Sequence, residues 1–297
     1  MVISVSLLSA YLYCPRKIFL ERVLGFYEPP KESLVIGTIK HEIFDLINKK
    51  EEEIVTNITK KISLEELEQI YKNTYSKTHK EAIIKNKEKL KQLELDIPTI
   101  FKKTWPLILN EAQSRALNLF NFMQTHLIFG KDLWKALTPK IHSEFKIESV
   151  KLELRGIIDQ LEIYEKGYVP IELKTGKSPR EDVWPNHKIQ IAAYAMLLEE
   201  KFNEPVKEGF VHYIDVNERR HIPINIFLKD EIEQLIKKVK TLLESQEIPD
   251  FCENKNKCNA CGLKETCYDE KRLKKRQKEF LKTKKSIKIK TKSLYIT

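Results

Sequence analysis

The chain has 297 residues and a formal net charge of +10, with 41% hydrophobic and 32% charged residues. That is ample for one large α/β domain or two smaller ones, and it excludes a disordered chain, a coiled coil and, with 8 Gly and 12 Pro, a low-complexity scaffold. The charge is uneven: residues 271–297 hold 12 Lys and Arg against one acid, Glu279, so residues 1–270 are nearly neutral.

From the N-terminus, residues 6–24 set Leu7, Leu8, Tyr11, Leu12, Ile18, Phe19 and Val23 at helical spacing, interrupted by Cys14-Pro15. Proline disfavours helix in the residue before it, so Cys14 is expected at a break between two helical pieces. No basic segment precedes this apolar stretch and no small-residue cleavage site follows it, which makes it a poor signal peptide. No apolar run approaches the roughly 18 residues of a membrane span, so a cytoplasmic protein without a membrane segment is expected. Ile36, Ile39, Ile43, Phe44 and Ile47 form a second helical stripe, with His41 and Asp45 on another face.

Residues 49–135 read as a solvated helical insertion, with Ser63 and Glu66 spaced as a capping box. Short Val- and Ile-rich runs then predict strands over Phe145–Val150, Leu152–Ile163 and Val169–Leu173, with a turn at Lys166-Gly167. A helix over 186–201, strands over Glu208–Asp215 and His221–Phe227, and a helix over Asp230–Leu243 complete an α/β or α+β pattern. In the basic segment, 286–292 alternates with period two and runs into Leu294-Tyr295-Ile296, which predicts an edge strand with lysines on one side.

Two groups of residues carry chemistry. Asp159 ends an apolar strand after Gly156-Ile157-Ile158, and Ile171-Glu172-Leu173-Lys174 lies on the next. Alternation puts Glu172 and Lys174 on one face, and strand pairing would bring Asp159 near Glu172. Two such carboxylates suit a hard divalent cation, Mg²⁺ or Mn²⁺, and a lysine beside it would orient water or stabilise charge developing on a phosphate. Gln190 and Tyr194 share a helix face that could lean over this site, Thr175-Gly176-Lys177 follows the strand where a glycine would let a phosphate backbone approach closely, and His41 supplies an upstream imidazole. Separately, Cys258, Cys261 and Cys267 follow a C-x2-C-x5-C spacing, with Cys252 six residues ahead. Thiols this close in a polar segment point to a metal centre, zinc or iron-sulfur.

The combination Gly37-xxx-His41, Gly156-x-x-Asp159, Glu172-x-Lys174 and Gln190-xxx-Tyr194 resembles the RecB-type branch of the PD-(D/E)xK nuclease superfamily. The Ser9–Lys17 segment around Cys14 resembles the N-terminal signature of its iron-sulfur members, with the CRISPR-associated RecB-like exonucleases as the closest match. The resemblance implies a mixed central sheet flanked by helices, with His41, Asp159, Glu172 and the Leu173 carbonyl as metal ligands. It implies Lys174 as the catalytic lysine and Gln190 and Tyr194 as an auxiliary motif near the DNA. It assigns Cys14, Cys258, Cys261 and Cys267 to an iron-sulfur cluster, 4Fe-4S ahead of 2Fe-2S, leaving Cys252 spare. The competing assignment is a zinc site of Cys252, Cys258, Cys261 and Cys267.

The function so implied is a metal-dependent DNA exonuclease, 5′ to 3′ on single strands, which trims captured DNA for spacer acquisition in antiviral CRISPR adaptation, working with the CRISPR integrase. The alternatives are a DNA-repair end-processing nuclease of the same fold and a non-catalytic metal-cluster subunit that binds DNA. The domains read as 1–270, the nuclease with its cysteine segment 252–267, and 271–297, a basic tail.

Overall fold

The structure, a computed structural model, describes residues 1–29 and 31–293, with side chains as far as residue 282. A short strand β1 (Ile3–Ser4) runs directly into helix α1 (Val5–Tyr13). Cys14 is extended, at φ −167° and ψ 108°; its N–H donates to the Ala10 carbonyl, ending α1, and Pro15 begins α2 (Pro15–Ile18). The break falls at Cys14-Pro15 because proline fixes the first helical residue but expels its predecessor. A π-helical turn, Phe19–Val23, follows, and then α3 (Glu32–Asn48).

Five helices form the insertion: α4 (Glu51–Thr56), α5 (Leu64–Lys85), α6 (Lys87–Gln92), α7 (Ile97–His126) and α8 (Gly130–Ala136). Ser63 and Glu66 form the reciprocal capping box at the start of α5. The expectation of a merely solvated insertion needs correction. Leu67, Tyr71 and Tyr75 of α5 and Ile108, Ala112 and Leu119 of α7 are buried in one core with Ile39, Ile43 and Ile47 of α3 and with Ile171 and Leu173 of the sheet. At its centre Glu51, 2% exposed, accepts from Arg115 Nε at 2.7 Å and from the Tyr71 hydroxyl at 3.2 Å. The Lys- and Glu-rich composition belongs to the outer faces of helices whose inner stripes are apolar.

Among the described residues six strands form one mixed sheet in the order β1-β3-β4-β5-β6, with β2 on the other edge of β3. The further strands are β2 (Lys140–Ser149), β3 (Leu154–Ile163), β4 (Tyr168–Lys174), β5 (Glu208–Tyr213) and β6 (Glu218–Pro223). The β1–β3 and β4–β5 pairs are parallel and the others antiparallel. Helix α9 (Pro185–Phe202) makes the crossover from β4 to β5 and is buried continuously from Ile189 to Leu198, packed with α1 and α10 (Ile226–Glu244). The expected strand over His221–Phe227 stops at Pro223, because the Asn225 side chain accepts the Leu228 N–H and caps α10.

The chain ends in α11 (Lys255–Ala260), α12 (Lys264–Tyr268) and α13 (Glu270–Ser293). The expected edge strand is therefore helix over 286–293, and 294–296 lie outside the described residues. Lysine is a good helix former, and α13 is tied down from its first turns. Leu273 is 2% exposed, in a cluster with Leu20 and Leu24; Arg276 Nε donates to the Leu24 carbonyl at 2.7 Å, and Gln277 Nε2 to that of Gln246 at 2.6 Å. A boundary at 271 thus cuts through a docked helix.

Candidate active site

One edge of β3 follows β2 throughout. On its other edge Leu154 and Arg155 pair with β1 and residues 160–163 with β4, which leaves 156–159 without a strand partner on that edge among the described residues. Tyr194 of α9 fills that gap, its hydroxyl donating to the Ile157 carbonyl at 2.9 Å. A Cβ on Gly156 would lie 2.6 Å from Tyr194 Cε1, so the glycine is what lets the ring reach the strand. Asp159 closes the gap: its Oδ2 accepts the Leu173 N–H at 2.7 Å, which ties the middle of β3 to the C-terminal end of β4.

Glu172 is 5% exposed. Its Oε1 accepts from Lys174 Nζ at 2.7 Å and from Gln190 Nε2 at 2.9 Å, and Lys174 also donates to Gln190 Oε1 at 2.8 Å. Among the described residues its Oε2 is buried without a hydrogen-bond partner. Burial first, and the Asp159 charge second, push the Glu172 carboxyl well above the usual carboxylate range. His41 Nδ1 stands 3.3 Å from Asp159 Oδ1. Burial works against a charged His41 ring, but the hydrogen bond to Asp159 and the nearby acids outweigh it and the His41 pKa is raised.

The structure thus brings His41, Asp159, Glu172, Leu173, Lys174, Gln190 and Tyr194 to one place. Gln190 and Tyr194 are buried and spent on Glu172, Lys174 and the Ile157 carbonyl, so here they hold the site together. The Gly176 N–H donates to Asp215 Oδ2 at 2.6 Å and is not free for a phosphate. Asp215, in the turn after β5, also pairs with buried Lys40 of α3, one residue before His41, and so joins that helix to the turn and, through Gly176, to the loop after β4.

One residue was missed in the sequence. Glu144 of β2 sits across from Asp159 with φ +50°, an uncommon conformation outside glycine, and one donor atom each from His41, Glu144 and Asp159 lie within 4.8 Å of one another. Burial first, and then Asp159 and Asp45, raise the Glu144 pKa. Its signal was register: the β2–β3 hairpin puts Ser143 opposite Gln160 and Phe145 opposite Ile158, which leaves Glu144 facing Asp159.

These residues fit a divalent cation. Two carboxyls held at raised pKa beside an imidazole, with an orphaned buried oxygen on Glu172, form an oxygen-rich donor set short of positive charge. Elsewhere, Cys14, Cys252, Cys258, Cys261 and Cys267, all free thiols and all half-buried, line one cavity. Buried Arg16 donates Nε to Cys267 Sγ at 3.1 Å and Nη1 to the Pro249 carbonyl at 2.6 Å, holding the two ends of the chain together at this pocket. The thiols share this cavity, but among the described residues the one group of His, Cys, Asp and Glu donors lying within 4.8 Å of one another is His41, Glu144 and Asp159, with no cysteine in it.

A mixed sheet that parts at an Asp, with a Glu-x-Lys on the neighbouring strand and helices on both faces, defines a nuclease fold. The comparisons agree: the family model of the PD-(D/E)XK nuclease superfamily matches residues 2–268, and the chain belongs to that superfamily. It is 29% identical over 150 residues to a CRISPR-associated exonuclease Cas4/endonuclease Cas1 fusion of Leptospira interrogans, covering 48% of this chain and 28% of that protein. It is 32% identical over 132 residues to the CRISPR-associated exonuclease Cas4 of Francisella tularensis subsp. novicida, covering 43% of this chain and 63% of that one. To the DNA replication ATP-dependent helicase/nuclease DNA2 of Gallus gallus it is 25% identical over 224 residues, 72% of this chain and 21% of the relative. The match therefore spans between a fifth and two thirds of these relatives' lengths. Among the described residues no helix is long and apolar enough to cross a membrane.

Proposed function

We propose that the chain is a divalent-metal-dependent deoxyribonuclease that trims single-stranded DNA from its 5′ end and prepares captured fragments for integration in CRISPR adaptation. The observation that carries the catalytic reading is Glu172: a buried acid with one oxygen spent on Lys174 and Gln190 and the other unpaired, beside Asp159. A structural ion pair would satisfy both oxygens. His41, Asp159, Glu172 and the Leu173 carbonyl, with Glu144 in reach, would hold Mg²⁺ or Mn²⁺, which when bound would supply positive charge against the phosphate and lower the pKa of a water beside it.

Lys174 has its ammonium fixed by Glu172 and Gln190 and presents it where negative charge develops on the phosphate oxygens. Gln190 and Tyr194 keep that lysine and the β3 carbonyl in place. The similarity to Cas4/Cas1 fusions supports a partnership with the CRISPR integrase. Cys14, Cys258, Cys261 and Cys267 would hold an iron-sulfur cluster with a structural role, with Cys252 as a spare thiol. The longer match to a replication helicase/nuclease, over 72% of the chain, supports end-processing in replication or repair as the second reading. The test is Lys174→Ala, which should abolish Mn²⁺-dependent cleavage of 5′-labelled single strands by more than about a hundredfold while the far-ultraviolet circular dichroism at the assay temperature stays that of the folded wild type. Cleavage within threefold of wild type would overturn the catalytic assignment.

A further inference from the structure

The acids stand between two openings that share Asp159. One is lined by His41 and Glu144, which with Asp159 suit a cation. The other, of about 600 Å³, runs past Asp159, Glu172, Gln190 and Tyr194 along the β2–β3 ribbon, and carries Lys146, Arg155, Ile157, Glu148, Ser4 and Ser6. Hairpin register orders its floor. Glu144 faces Asp159, Lys146 then pairs with Ile157, and Glu148 with Arg155. Side chains two residues apart share a face, so Lys146 and Arg155 follow the acids at successive steps of roughly 7 Å.

Lys146 and Arg155 are exposed, and among the described residues neither side chain has an ion pair or hydrogen bond, although Glu148 lies directly opposite Arg155 and one register step from Lys146. Most other cations around the catalytic site are committed: Lys40 to Asp215, Lys49 to Asp45, Lys85 to Glu42 and Lys174 to Glu172. Between them Ile157, 45% exposed, offers an apolar step at an otherwise polar groove. Two uncommitted cations in line with a metal-type site, separated by an apolar platform, match a single nucleic-acid strand whose phosphates meet the cations while a sugar or base rests on the aliphatic side chain.

We propose that this groove is the track by which one DNA strand reaches the acids, with Lys146 and Arg155 as its phosphate contacts and Ile157 as its floor. The inference rests on the nuclease reading for its direction, but its test does not need cleavage. Binding of a fluorescein-labelled 20-mer of dT is measured by anisotropy in EDTA across a salt series. The double variant Lys146→Ala/Arg155→Ala should raise Kd at least tenfold and make the slope of log K against log salt shallower by about 1.4, two contacts at roughly 0.7 each. Its melting temperature should stay at the wild-type value, since both side chains lack partners. Glu148→Gln, which removes an acid from the groove, should tighten binding.

Lys166→Ala/Lys207→Ala, the same charge change in a separate surface cavity, should alter Kd less than twofold. An unchanged Kd and slope in the groove variant, or an equal loss in this control, overturns the track. Should Lys174→Ala still cleave, the nuclease assignment fails while these binding results stand; should cleavage depend on Lys174 but the slope not move, only the track fails. If the groove variant loses binding to a purified integrase subunit and not to DNA, the surface is a protein interface and the proposal is wrong.

Discussion

Replacing Gly156 with Ala tests how the gap in β3 is built. The added methyl would sit 2.6 Å from Tyr194 Cε1 and 3.2 Å from Cδ1, where ordinary contacts are 3.4–4 Å. Tyr194, 3% exposed, has its hydroxyl on the Ile157 carbonyl and cannot swing aside without releasing it. Overpacking of this kind costs about 1–3 kcal/mol and the lost hydrogen bond about 1 kcal/mol. Alanine returns about 0.4–1 kcal/mol by restricting the unfolded chain. The net expectation is a loss of about 2 kcal/mol. The assay is urea unfolding followed by fluorescence of the three tryptophans, run as a double-mutant cycle with Tyr194→Ala. With the ring removed, Gly156→Ala should be neutral or slightly stabilising, a coupling of about 2 kcal/mol. A single variant within 0.5 kcal/mol of wild type, or additive losses in the cycle, would refute the reasoning.

Two further predictions concern stability. His79 is fully buried, and burial pushes its pKa from 6.5 down to about 4. The folded state binds this proton less readily than the unfolded chain, so stability is complete above pH 6.5 and is lost as pH falls from there through 4, on the order of 3 kcal/mol. Unfolding midpoints across that window should therefore fall less steeply in His79→Gln than in wild type; equal slopes would remove His79 as the cause. Asp215→Asn leaves Lys40, 6% exposed, without its counter-charge and should cost about 2–4 kcal/mol. Lys40→Met on that background should restore most of the loss in the same denaturation assay, and a double variant no better than the single one would contradict it.

The spacing of Asp159, Glu172, Lys174, Gln190 and Tyr194 was legible because strand alternation and helical period are local rules, and each places a side chain on a known face. Glu144 escaped because its role depends on hairpin register and a left-handed backbone, neither of which leaves a mark in composition. Lys40 and Asp215 meet across 175 residues, which no local pattern encodes. The basic segment misled through its period: 286–292 alternates, yet Leu273, Arg276 and Phe280 recur at helical spacing and dock α13 on the N-terminal helices, and a helix already anchored continues. The insertion misled through composition, since helices that are polar outside still bury Tyr71 and Tyr75 completely. The two residues of β1 are too few to carry a strand signal, although their pairing with Leu154 and Arg155 bounds the gap where the site lies.

The central claim is that Asp159 and Glu172 bind a divalent cation and that this makes the site a nuclease. Its most direct measurement is cleavage of a single-stranded oligonucleotide, labelled separately at each end, by the wild-type chain and by Glu172→Gln, with Mn²⁺ and with EDTA. The account predicts Mn²⁺-dependent shortening from the 5′ end by the wild type and none by the variant or in EDTA. Cleavage that persists in EDTA, or that survives Glu172→Gln unchanged, would contradict it.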